Sequence, residues 1–147
     1  MPAATPVNPY EPTRETVAAS LPTGNPQWMI WLGWVVSVLP VLGLVMSAVF
    51  KFLKPADLVK EFGRLGWPEN LAFGLGIVEI VCTILYVIPQ TSVLGAILLT
   101  GYLGGATATH VRIGDGFVPP IVMGVLIWLG LFLRDARLRA LIPLRRL

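Results

Sequence analysis

"WMIWLGWVVSVLPVLGLVMSAVF", residues 28–50, is a run of 23 residues without a charged side chain. A helix needs about 20 predominantly apolar residues to cross a hydrocarbon core about 30 Å thick. This run meets that length, with Trp28 and Trp31 at one end and Lys51 and Lys54 at the other, the residue types that anchor a span at the two interfaces. Pro40 lies mid-run, where it leaves a backbone carbonyl without its helical donor and is expected to kink the helix.

The rest of the chain follows the same pattern. Of 147 residues, 55% are apolar and only 13% charged, against about a quarter charged in an ordinary soluble domain. Between Leu71 and Val111 the single formal charge is Glu79. Three further apolar segments are expected to span, at residues 71–88, 92–110 and 117–133. Pro68 and Glu69 precede the second and favour a helix start. Only Pro89-Gln90-Thr91 separates the second from the third, which predicts a tight antiparallel hairpin. The fourth is short, and Arg134 is expected to lengthen it by snorkelling. The fold class expected is therefore all-α: an integral membrane bundle of four transmembrane helices within residues 27–134.

Between the first two spans, "PADLVKEFGRLG" places Leu58, Phe62 and Leu65 at helical spacing. That pattern predicts a short interfacial amphipathic helix on the membrane surface, with a solvated loop as the alternative. Residues 1–26 form a Pro-rich tail with no apolar core segment of a signal peptide, and disorder is expected there. Residues 135–147 form a basic C-terminal tail. The arginines of that tail favour cytoplasmic termini in a plasma (inner) membrane, although the opposite side carries Lys51, Lys54, Lys60, Arg64 and Arg112. Because the basic residues flank apolar segments, they point to lipid headgroups and not to nucleic acid. One cysteine, Cys82, precludes a cysteine pair within the chain, and one histidine, His110, precludes paired histidine ligands. No intrinsic metal site or cofactor site is expected.

Glu79 lies eight residues beyond Leu71, about 12 Å into the bundle at the helical rise. An ionised carboxylate at that depth costs about 2.5–3.5 kcal/mol on insertion scales. It should face the bundle interior, be protonated, or both. Gly76, Glu79, Thr83 and Tyr86 share a stripe. Thr100, Gly104 and Thr107 form a second stripe that ends near His110, and Gly33, Ser37, Pro40, Ser47, Lys51 and Lys54 form a third. Antiparallel register would let these stripes converge on one polar cavity open toward Lys51, Lys54 and His110, with Thr100 close to Glu79 in depth. The competing reading makes Glu79 a hydrogen-bond partner that holds the bundle together. Gly101 and Gly105 form a GxxxG pattern, expected to serve helix packing within the bundle, with a homodimer seam as the alternative.

"SAVFKFLKP", "GLGIVEI" and "GYLGGATATHVRIGD", which carry Lys51, Lys54, Glu79, Thr109, His110 and Asp115 in order, resemble the DoxX-like family of four-helix bacterial membrane proteins, over about residues 28–133. That family takes its name from likeness to a membrane subunit of a thiosulfate:quinone oxidoreductase. Related members associate with oxidative-stress complexes, and distant animal relatives act as membrane-protein assembly factors. The resemblance implies an accessory subunit of a redox-linked complex, with quinone as candidate ligand and a membrane or peripheral protein as candidate partner. An assembly or scaffolding factor is the alternative, and a small-molecule transporter comes third. The resemblance assigns no enzymatic activity to this chain and no oligomeric state.

Overall fold

The computed structural model describes residues 24–141. Most of the expected N-terminal tail (1–23) and the last part of the basic tail (142–147) lie outside the described residues. Those described are all-helical: α1 (Gln27–Leu53), α2 (Ala56–Arg64), α3 (Leu71–Val87), α4 (Ser92–Arg112), α5 (Val118–Arg134) and the short α6 (Ala136–Leu141). α6 turns the first part of the expected basic tail into helix. Two helices, α1 and α4, are long and apolar enough to cross a membrane, whereas α3 and α5 are apolar but have 17 residues each.

The helix boundaries follow from local chemistry. α1 continues one turn past the uncharged run, because Lys51 turns inward and does not stop the helix. It stops at Lys54, which takes a left-handed conformation (φ 45°) and donates its N–H to Phe50 O at 2.9 Å, with Pro55 immediately after. Pro119 and Pro120 stand in the first turn of α5, where no N–H is needed. α1 runs through Pro40, which is buried.

The four long helices close a ring in the order α1–α3–α4–α5 and back to α1. Glycines set two of the approaches. A Cβ on Gly95 of α4 would overlap the Tyr86 backbone of α3, so the hairpin predicted at Pro89-Gln90-Thr91 closes backbone to backbone. A Cβ on Gly33 would lie 2.8 Å from Gly130 O, which brings α1 against α5. Between these approaches Tyr86 reaches across the bundle: it donates to Ile127 O at 2.9 Å, and its hydroxyl is 2.8 Å from Ser37 Oγ. Arg134 does not snorkel outward as expected. It folds back to donate to Tyr86 O at 2.8 Å and stacks its guanidinium 4.3 Å from the Trp34 ring centre. The faces of Trp34 and Tyr86 and the Tyr86 carbonyl meet the charge, while Arg134 Nη1 stays buried without a hydrogen-bond partner among the described residues.

Polarity runs opposite to that of a water-soluble bundle. Glu79, Ser37, Thr83 and Ser92 are buried, while Trp31 (66% exposed), Leu39 (65%), Ile84 (53%), Ile97 (54%) and Val125 (59%) face out from the four long helices. Soluble monomers rarely expose a contiguous apolar patch beyond about 300–600 Å². This belt matches a hydrocarbon surround.

The glycine approaches predict a sharp positional contrast. Gly95→Ala should lower stability by about 1–3 kcal/mol or prevent assembly, since backbone cannot yield. Gly104→Ala, whose Cβ meets nothing within 4 Å, should stay within about 0.5 kcal/mol of wild type. Thermal unfolding of both variants in mild detergent checks this.

Candidate functional site

The buried acid is not alone. Lys51 Nζ lies 2.9 Å from Glu79 Oε2, with the two side chains only 12% and 2% exposed. The ammonium also donates to Ser47 Oγ, one turn back on α1, at 2.5 Å. Of its three N–H donors, two are engaged and one remains. The pairing is a product of register. α1 and α3 run antiparallel, so Lys51 in the last turn of α1 meets Glu79 in the third turn of α3. Gly76 makes the crossing possible, because a Cβ there would stand 2.9 Å from the Phe52 ring and 3.3 Å from Lys51 Cβ. The acid thus faces the bundle, as the stripe predicted, and Lys51 is the partner it meets there. Thr83 donates to Glu79 O at 2.7 Å, closing its hydroxyl within α3.

The pair forms one wall of a cavity of about 530 Å³, within the range of small-molecule sites. Most of the remaining wall is apolar, including Leu44, Leu75 and Met123, and Tyr102, Thr109 and His110 of α4 add polar groups. Gly101 and Gly105 also line it. Neither packs against another helix here, since a Cβ on either would meet nothing within 4 Å. The expected packing role for this GxxxG pair is therefore corrected: among the described residues these missing side chains are cavity space. The helix approaches fall to Gly33, Gly95 and Gly130 instead.

α2 covers the mouth. It is the amphipathic helix expected between the first two spans, but its apolar stripe turns onto the bundle end: Phe62 is buried, and Leu58 and Leu65 line the cavity. A polar latch holds it. Arg64 makes paired contacts with Glu61 (3.1 and 2.6 Å) and reaches Asp115 Oδ2 at 2.5 Å, in the α4–α5 connection. His110 Nδ1 lies 3.2 Å from the same Asp115 oxygen, and Arg112 donates to Leu65 O at 2.5 Å. The Gly116 N–H, Arg64 and His110 together hold the Asp115 carboxyl below the ordinary carboxylate range. Arg64 is raised by Glu61 and Asp115.

Of the residues expected to converge, the structure brings Lys51, Glu79 and His110 to one cavity, with Thr83 behind the acid. Three lie elsewhere. Tyr86 belongs to the opposite end of the bundle, bonded to Ser37 and Ile127. Thr100 and Thr107 line an outer groove between α4 and α5, so the expected position of Thr100 opposite Glu79 is corrected. The reason is rotation: α4 turns its Gly101, Tyr102 and Gly105 face inward, not the neighbouring Thr100, Gly104 and Thr107 face. Lys54, expected at the cavity opening, points to Glu69 at 4.0 Å. Ser47, on the third stripe, lines the cavity as expected, whereas Tyr102, Thr109 and the lid residues Leu58, Phe62 and Leu65 were not among the expected site residues. The signal for them was present in the small residues at 101 and 105, which mark the open face, and in the apolar stripe of α2.

The DoxX-like family model matches residues 35–131, well over half of the chain. The chain belongs to the DoxX-like family. Membership and the apolar belt together point to a membrane protein. No curated protein matches the chain, and no solved structure does. The matched region holds α2, α3 and α4 whole, and with them the ion pair, the cavity and the latch.

Two outcomes follow from this geometry. Lys51→Met should destabilise the bundle by about 3–5 kcal/mol by stranding the carboxylate, and adding Glu79→Gln should recover most of the loss; denaturant unfolding in mild detergent reads both. A carboxyl whose folded pKa is depressed stabilises above its unfolded pKa, and that contribution is lost as pH falls through the folded value. The latch should accordingly survive below the ordinary value of 3.8. Carbon NMR titration of Asp115 should give a midpoint below that value, rising toward it in Arg64→Ala.

Proposed function

We propose that the chain is a four-span protein of the plasma (inner) membrane, with cytoplasmic termini, whose cavity binds the head group of a small amphipathic molecule of the quinone class. It serves a redox-linked complex as an accessory subunit. The observation that carries this reading is the Lys51–Glu79 pair on the wall of an otherwise largely apolar, lidded cavity. A ring with carbonyl oxygens needs donors at its rim and apolar walls on its faces. The free N–H of Lys51, the Tyr102 hydroxyl and His110 are the candidate donors, and Leu44, Leu75 and Met123 are the walls.

The short helices fit a four-span reading. α3 and α5, at 17 residues each, are about 25 Å long, a few ångströms under the hydrocarbon thickness. Mismatch of that size costs only fractions of a kcal/mol per ångström. Trp28 and Trp31 stand exposed at the α1 end where an interfacial anchor belongs. The accessory role rests on family membership and on the single cysteine and single histidine of the chain, which leave redox equivalents to be supplied by a partner. The Lys51–Glu79 pair would then bind and orient the ring and hold a proton within reach of its oxygen.

Titration of the purified full-length chain with a tail-less benzoquinone, read by quenching of its five tryptophans, of which Trp67 stands at the cavity wall, tests this. Wild type should bind saturably. Gly101→Leu, which fills open cavity space, should weaken binding by at least about tenfold with unfolding unchanged, as expected when a guest loses its site. Equal quenching of both proteins would overturn the reading.

A further inference from the structure

The cavity has a neighbour that the head-group site does not use. Between α4 and α5 runs an open groove of about 600 Å³, facing outward into the apolar belt. Leu103 and Pro120 line both the groove and the inner cavity, so the two spaces share a wall built from these side chains. Leu103 is itself nearly buried, and its Cδ1 lies 3.8 Å from where a Cβ on Gly124 would stand. Glycine at 124 and glycine at 104, where a Cβ would meet nothing within 4 Å, leave the groove hollow on both sides of that leucine.

The groove has hydroxyls but offers none of them to a guest's head. Thr100 donates to Ala96 O at 2.8 Å and accepts from Trp128 Nε1 at 2.8 Å. Thr107 donates to Leu103 O at 2.8 Å. With those groups engaged within the protein, the remaining lining (Ile121, Val125, Leu129 and Phe132) is hydrocarbon or aromatic. A surface of this kind takes methylene and methyl groups, not a polar ring.

Resting on the head-group reading above, we propose that the α4–α5 groove holds the prenyl tail of the same molecule whose ring occupies the inner cavity, and that Leu103 and Pro120 form the gate through which it enters sideways from the membrane. The natural ligand is then a prenylated quinone and not a free, tail-less one. The lid fits this route. α2 narrows the aqueous mouth through Phe62 and the Arg64–Asp115 latch, whereas the wall toward the groove includes the side chains of Leu103 and Pro120, which line both spaces. A leucine rotamer change needs no backbone hydrogen bond to break, while the aqueous route requires the latch to open.

Four proteins and two ligands separate the possibilities. Wild type, Gly101→Leu, Gly104→Leu and Leu103→Trp, each checked for unchanged thermal unfolding, are titrated in mild detergent with a prenylated benzoquinone and with its tail-less counterpart. Wild type should bind the prenylated form more tightly at equal mole fraction in the detergent, because a fitted groove packs the tail against Ile121, Val125 and Phe132 beyond what fluid detergent chains supply. Gly104→Leu should remove this preference and leave tail-less affinity intact. Gly101→Leu should weaken both ligands, and Leu103→Trp should slow association of the prenylated form. If Gly104→Leu keeps the full preference for the prenylated ligand, the tail lies elsewhere and the proposal fails. The same holds if a two-chain phospholipid abolishes that preference without affecting the tail-less form, which would make the groove a site for bulk lipid. Saturable binding of both ligands with equal affinity overturns only the tail site. Absence of saturable binding in wild type overturns the head-group reading and the tail site together.

Discussion

An ammonium and a carboxylate 2.9 Å apart in the interior of an apolar bundle constrain everything around them. Neither charge is tolerable there alone. Breaking such a pair by removing one partner costs about 3–5 kcal/mol. The last turn of α1 and the third turn of α3 must therefore stay in contact, and that contact requires Gly76 at the crossing. α1 continues past the end of its uncharged run because Lys51 is spent inward. Ser47 takes a further hydrogen of the ammonium, so the pair is a small network and not an isolated contact.

The two ends of the bundle are built differently. At the end holding the start of α1 and the close of α5, glycines at 33, 95 and 130 bring backbones together, and the Ser37–Tyr86–Ile127 chain and Arg134 tie α1, α3 and α5 across the middle. At the other end, glycines at 101 and 105 face empty space. The same residue type serves opposite ends: where a neighbour's backbone is near, a missing side chain permits contact, and where none is near it leaves a void. A void that size survives because the opposite end is clamped and because α2, held by the Arg64–Asp115 contact, closes it from above.

This division matters for what the bundle can do. A rigid end fixes the relative positions of α1 and α3, and so holds the ion pair in place within the cavity. The lid and the leucine-walled groove are the parts with few backbone ties, and are where movement costs least. The latch that holds the lid is polar and water-facing. The contact at the groove is apolar and faces the belt. The two routes into the cavity thus differ in the kind of molecule each admits.

Class and element order were legible in the sequence, because charge segregation and run length depend on one chain's local composition: an uncharged stretch long enough to span, a proline-bounded hairpin and an apolar stripe between Pro55 and Gly66 each carry their meaning without a partner. The inward face of α3 was legible for the same reason, since one carboxylate in an apolar helix has few tolerable directions. The tertiary structure decided how the helices rotate about their axes. Thr100 and Gly101 are adjacent in the chain yet face different spaces, and no local pattern separates two stripes that are both small and weakly polar. It also decided which cation meets Glu79, because Lys51 and Lys54 sit about one turn apart and only the packing of α1 on α3 turns one inward and the other toward Glu69. Glycine patterns read alike in sequence, and only the distance to a neighbouring backbone distinguishes the pair that packs helices from the pair that leaves room for a guest.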